Sequence, residues 1–126
     1  MLEVILVTIG GGIGSASRYL VSTWAAARFG ADFPYGTLIV NIVGCFIIGA
    51  FMTVVTERLI VSPYWRLFVT VGIVGGFTTF SSFSYETIHL LQEADALRAV
   101  YNVSLNVLVG FFATWLGIGL AKLFTA

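Results

Sequence analysis

Apolar residues run through this chain in four long blocks, and the polar residues gather in the short stretches between them. The blocks extend from Leu2 to Ala27, Gly36 to Thr56, Trp65 to Leu91 and Leu97 to Phe124. A helix needs about 20 mostly apolar residues to cross a hydrocarbon layer about 30 Å thick, and each block meets that length. The connecting stretches, Arg28 to Tyr35, Glu57 to Tyr64 and Gln92 to Ala96, hold both prolines and most of the charges. They are too short for a soluble domain. Trp24, Tyr35, Tyr64, Trp65 and Tyr101 fall near the block ends, as amphipathic aromatics do at the headgroup level. The pattern predicts an all-α membrane protein with four transmembrane helices, forming a single domain over residues 1–126.

Composition points to the same solvent. Hydrophobic residues make up 59% of the chain and charged residues 10%, whereas soluble domains carry about 25% charged residues. Mean hydropathy is +1.01. Six basic and six acidic residues give a formal net charge of zero, which leaves no basic face to neutralise a nucleic-acid backbone. The one cysteine, Cys45, lies in an apolar run, so neither a disulfide framework nor a Cys/His metal site is expected, and it reads as a small buried residue. Met1-Leu2-Glu3 has no positive charge ahead of the first block, which is expected to be a span and not a cleaved signal peptide.

Charge placement bears on orientation. Arg58, Arg66 and Lys122 fall on the side of the N-terminus; Arg28 and Arg98 fall on the other, with Arg18 inside the first block but nearer that second side. Three against two or three gives no positive-inside bias. A chain without bias is expected to insert both ways and to pair with its own inverted copy. Gly10 with Gly14, Gly72 with Gly76, and the stripe Ala113, Gly117 and Ala121 provide small surfaces for close helix packing.

Three features carry candidate chemistry. Arg18 stands among glycine, small and apolar residues, where a charge at mid-membrane costs at least about 2.5 kcal/mol. It either marks a pathway or snorkels to the headgroups. Glu86 is the acid expected at membrane depth, to pair with Arg18, face a vestibule or lie in the interface; His89, one turn beyond Tyr85, suits an interfacial site better than a proton relay. Most informative is Gly75-Gly76-Phe77-Thr78-Thr79-Phe80-Ser81-Ser82-Phe83-Ser84. Paired glycines followed by hydroxyl residues predict a break near the middle of the third helix, and backbone freed there must be buried or line a cavity.

Along that stretch Thr78, Ser81 and Ser84 recur every three residues beside Phe77, Phe80 and Phe83, giving two adjacent helical stripes. Hydroxyls donate hydrogen bonds to an anion, and phenyl rings present an electropositive edge. Packing of the rings and back-bonding of the hydroxyls are the simpler alternative. Asn41 in the second block and Asn106 in the fourth are amides that suit interhelical hydrogen bonding. One cysteine and one histidine far apart supply no nucleophile, base and orienting group, so an enzyme is not expected.

With these residues in view, the chain resembles the Fluc (CrcB-type) family of fluoride channels across essentially its whole length. The matching elements are Gly11-Gly12-Ile13-Gly14 with Arg18-Tyr19, Gly36-Thr37-Leu38-Ile39-Val40-Asn41, and the Gly75 to Ser84 stretch leading to Glu86. The resemblance implies a passive fluoride channel in the cytoplasmic (inner) membrane of a prokaryote. It implies an antiparallel, dual-topology homodimer with two pores along the interface. Phe80 and Phe83 would then line the pore, Asn41 would donate to fluoride, and Arg18 would keep the mouth electropositive. Ser81, Ser84 and Thr114 would form a polar track, with Glu86 toward one vestibule. Backbone carbonyls of Gly75 and Thr78 would hold a central sodium ion shared by two subunits. Ser82 stands where some relatives have Thr, which keeps the hydroxyl.

Two other classes remain to be weighed. A dual-topology multidrug exporter needs a membrane carboxylate in its first span, and here that span has Arg18, with Glu3 at its very end. An assembly subunit of a larger complex would use the polar stripes as helix glue, and flux measurements separate it from a channel.

Overall fold

The computed structural model describes residues 1–57 and 61–125. Arg58, counted above on the N-terminal side, lies outside the described residues. All regular structure among the described residues is helical. The first span is α1 (Leu2–Phe29) and the second α2 (Tyr35–Glu57). The third begins as α3 (Pro63–Arg66), continues as a π-helical segment π1 (Leu67–Val74) and α4 (Gly75–Phe77), and resumes as α5 (Phe80–Gln92). The fourth is α6 (Ala96–Ser104), π2 (Leu105–Val109) and α7 (Gly110–Thr125). Among the described residues, four stretches are long and apolar enough to cross a membrane: Leu2–Phe29, Tyr35–Glu57, Pro63–Gln92 and Ala96–Thr125. Each expected block end lies within two residues of the observed one.

Local chemistry sets those ends. Gly30, at φ 89, closes α1 in a conformation that favours glycine, and its N–H donates to the Ala26 carbonyl. Ser62 accepts from the Tyr64 N–H ahead of Pro63, which costs nothing in the first turn because proline lacks a donor there. Asp95 caps α6 by accepting from the Arg98 N–H at 3.1 Å.

The two glycine pairs meet each other. Gly10 lies against Phe68 and Gly72, and a Cβ on Gly14 would overlap the Ile73 carbonyl. The first span therefore packs backbone to backbone on π1 and α4. On the other side α2 packs along α7, where Ala113, Gly117 and Ala121 are buried. Cys45 is half-buried, beside Gly110, and not enclosed as expected, because that glycine offers no side chain to cover the thiol.

Little of the chain is enclosed by itself. Phe111, Phe112, Trp115, Leu20 and Leu108 are exposed, along with many other large apolar side chains. Such a surface is stable against lipid tails or another apolar surface and not against water.

Candidate functional site

The third span is interrupted for two residues. Thr78 (φ −89, ψ 160) and Thr79 (φ −152, ψ 122) are extended, between helices on either side. Thr78 still donates its N–H to the Val74 carbonyl at 3.0 Å. The Thr79 N–H, which a continuous helix would aim at the Gly75 carbonyl, donates instead to Asn41 Oδ1 at 2.9 Å. The Ser82 N–H, which would have served the Thr78 carbonyl, donates to Thr79 Oγ1 at 3.1 Å. Both carbonyls that the family resemblance assigns to a cation have thus lost their helical donors. Hard carbonyl oxygens are the donor type that sodium prefers, so the residues fit such an ion on that chemistry.

Arg18 reaches the same place from α1. Its Nε donates to the Gly76 carbonyl at 3.0 Å. A guanidinium there lies at the C-terminal end of α4, where the partial negative charge of the helix end collects. Arg18 is half-buried and tied to the interruption. It does not pair with Glu86, whose Oε1 accepts from Thr37 Oγ1 at 2.6 Å.

The expected site residues do not all come together. Phe80 and Phe83 sit one turn apart at the start of α5, with ring centroids 5.6 Å apart and planes at 62°. Their surroundings differ: Phe83 is 9% exposed and Phe80 78%. Ser81 and Ser84 are also exposed, and Ser81 Oγ lies 3.3 Å from Thr79 Oγ1. Phe80, Ser81 and Ser84 therefore open onto the outer surface of a single chain. Thr114 belongs to the packed α2–α7 seam, and its hydroxyl donates to the Gly110 carbonyl at 3.3 Å. Asn41 spends both amide hydrogens, one on the Thr79 carbonyl at 3.0 Å and one on Asn106 Oδ1 at 2.9 Å.

A cavity of about 480 Å3 opens between the end of α1, the start of α2, and the α5–α6 turn. Glu86 and His89 line it, with Asp32, Glu93, Asp95 and Arg98. Asp95 pairs with Arg98 at 3.4 Å and Glu93 with His89 at 3.8 Å. Four acidic side chains and one arginine line this cavity, in contrast to the hydroxyl and phenyl groups at the start of α5.

Sequence reasoning passed over Asn102 and Thr87, and it gave Thr37 and Thr79 no role beyond membership of their motifs. Asn102 is wholly buried and bonds both to Asn106 and to Thr87. Its signal was present: two amides four residues apart on one face of an otherwise apolar span.

Fold and composition together define a multi-pass, all-helical membrane protein with four apolar spans among the described residues. The model for the family described as CrcB-like protein, Camphor Resistance (CrcB) matches residues 5–118. The chain is 47% identical over 121 residues to a fluoride-specific ion channel FluC of Solibacter usitatus, covering 96% of this chain and 99% of that protein. It is 44% identical over 123 residues to the FluC of Sulfurihydrogenibium sp., covering 98% and 99%. Against the FluC of Geotalea uraniireducens it is 46% identical over 122 residues, covering 97% and 98%. The chain belongs to the CrcB-like family.

Proposed function

We propose that this protein is a fluoride-selective channel giving passive fluoride efflux across the cytoplasmic membrane of a prokaryote, and so relieving fluoride toxicity. The observation that carries this reading is the turn of hydroxyl and phenyl groups that starts where the third span is interrupted, in a chain whose relatives bear the name of fluoride channels. The chain is no enzyme.

Fluoride is small and tightly hydrated, so a pore must replace its water with close donors while staying narrow. Several weak sites let an ion enter and leave again. Phe80 and Phe83 offer ring edges, Ser81, Ser84 and Thr114 offer hydroxyls, and the Asn41 amide borders the turn. Arg18 contributes positive charge near the interruption, and Glu86 faces the vestibule. Hydrofluoric acid crosses membranes neutral and ionises inside a less acidic cell, so a passive pore lowers internal fluoride without an energy source.

The working unit is an antiparallel, dual-topology homodimer with two pores along its interface. The exposure of Phe80 supports this, since a pore-lining ring on the outside of one chain needs a second surface opposite it. The even spread of basic residues supports insertion in both directions. Gly75 and Thr78 would hold a central sodium ion through their backbone carbonyls. Bound there, sodium supplies a fixed positive charge that neutralises the freed carbonyl dipoles.

The deciding experiment is fluoride efflux from liposomes carrying the purified protein, read with a fluoride electrode and with chloride as control. Fluoride release without chloride release is the expected result; none above protein-free vesicles would end the proposal.

A further inference from the structure

A chain of part-buried amides, with Asn102 fully enclosed, begins and ends on the turn that carries the two phenylalanines. The Thr79 N–H donates to Asn41 Oδ1, which fixes the direction of that amide, so Asn41 Nδ2 faces the Thr79 carbonyl and Asn106 Oδ1. With its oxygen taken, Asn106 turns its Nδ2 to the Asn102 carbonyl at 2.8 Å and Asn102 Oδ1 at 3.1 Å. Asn102 Nδ2 donates to Thr87 Oγ1 at 2.9 Å, and that hydroxyl donates to the Phe83 carbonyl at 2.8 Å. One end of the chain grips Thr79, the residue before Phe80. The other grips the carbonyl of Phe83.

Every member has its direction set by the one before it. Asn102 is 0% exposed, and no buried side-chain polar atom among the described residues lacks a partner. In a membrane interior a broken link has no water to turn to, so the chain holds as a unit.

We propose that Asn102, Asn106 and Thr87 are positioning residues for permeation: through this chain they set the pitch of residues 79–83 and hold Phe80 and Phe83 edge to face. The role in permeation rests on the fluoride-channel reading; the hold on the backbone does not. Residues acting only as helix glue would weaken the fold wherever they were cut, each by its own amount. A positioning chain loses the same function at whichever link it is cut.

The test uses the full chain in liposomes, with Thr87→Val, Thr87→Ser, Asn102→Leu and the Thr87→Val/Asn102→Leu pair. Fluoride efflux is measured beside backbone hydrogen exchange of residues 79–84. Thr87→Val and Asn102→Leu should each slow efflux about tenfold, as expected for losing a buried hydrogen bond. The pair should slow it no further, since both cut one chain. Thr87→Ser, which keeps the hydroxyl, should conduct like the parent, and exchange at 79–84 should quicken in Thr87→Val while that of α7 stays unchanged. Parental efflux or unchanged exchange in Thr87→Val would overturn the proposal, as would effects that multiply in the pair. The threonine variants decide alone if Asn102→Leu does not fold. Should the parent protein move no fluoride, the channel reading falls by itself; faster exchange in Thr87→Val would still uphold the hold on the backbone, and unchanged exchange would end it.

Discussion

Asn41 and Thr79 exchange two hydrogen bonds: the Thr79 N–H donates to Asn41 Oδ1 at 2.9 Å, and Asn41 Nδ2 donates to the Thr79 carbonyl at 3.0 Å. One side chain from the second span thus serves both backbone groups of a residue that has left the helix. Removing it strands the Thr79 N–H, at about 1–3 kcal/mol, and takes one of two donors from the Thr79 carbonyl, which as the N-cap of α5 also accepts the first bond of that helix. Asn41→Leu should lower thermal stability in detergent and reduce fluoride efflux by at least about tenfold. Asn41→Asp keeps the acceptor for the Thr79 N–H but loses the donor and sets a carboxylate oxygen against the Thr79 carbonyl and Asn106 Oδ1, so it should conduct as poorly and lose stability as well. Efflux equal to the parent in both variants would remove Asn41 from the site.

Phe80 and Phe83 make different predictions because their surroundings differ. Phe83 is enclosed by its own chain, and Phe80 is open. Phe80→Ile should leave the fold intact and sharply reduce fluoride efflux. Phe83→Ile should do the same and also cost about 1–3 kcal/mol of stability, because a branched side chain replaces a packed ring. Thermal unfolding alongside electrode measurements separates the two effects, and unchanged flux in both would remove the rings from the pathway.

The four spans were legible because lipid imposes one pattern: about 20 apolar residues with the polar ones outside. The extended pair at 78–79 was signalled by glycines beside hydroxyl residues, with no proline near them to cause a kink. Its partners were not. Nothing local in the sequence says that Arg18 bonds the Gly76 carbonyl 58 residues away, or that Glu86 bonds Thr37 and not Arg18. Such pairings depend on which helix faces meet, and the apolar pattern of a membrane helix leaves its rotation almost free. Asn102 escaped notice for a related reason. An amide in a span reads as generic glue until its neighbours are known.

Glycine packing gives a test that needs no transport. A Cβ on Gly14 would collide with the Ile73 carbonyl, which is backbone and cannot swing aside, whereas Gly119 has no neighbouring heavy atom of this chain within 4 Å. Gly14→Ala should therefore cost about 1–3 kcal/mol or prevent folding, as overpacking does. Gly119→Ala should be tolerated, with a small gain in helix propensity. Monodispersity and melting temperature in detergent check the pair, and equal behaviour would contradict the backbone contact between α1 and π1.

The sodium ion proposed on the carbonyls of Gly75 and Thr78 predicts a dependence on that cation. An ion that binds only the folded protein stabilises it by about 2.7 kcal/mol at one hundred times its dissociation constant. Replacing sodium with a large organic cation should lower the melting temperature and quicken hydrogen exchange at residues 75–79, with little change elsewhere. Identical melting and exchange in both salts would remove the central ion.

Orientation is testable through the charge count. With basic residues nearly even on the two sides, half of the chains should expose a given loop to each side of the membrane. A cysteine placed at Gln92 in a Cys45→Ser background should react from both sides with an impermeant reagent. Gln92→Lys with Glu93→Lys adds two positive charges to the α5–α6 turn and should drive that turn to the cytoplasm in most chains. Paired inverted copies would then be scarce, and fluoride efflux should fall even though neither residue belongs to the turn that carries Phe80 and Phe83. Co-expression with a variant biased the other way should restore it, because each would supply the orientation the other lacks. One-sided labelling of the parent, or full efflux from the biased variant alone, would rule out assembly from opposed copies.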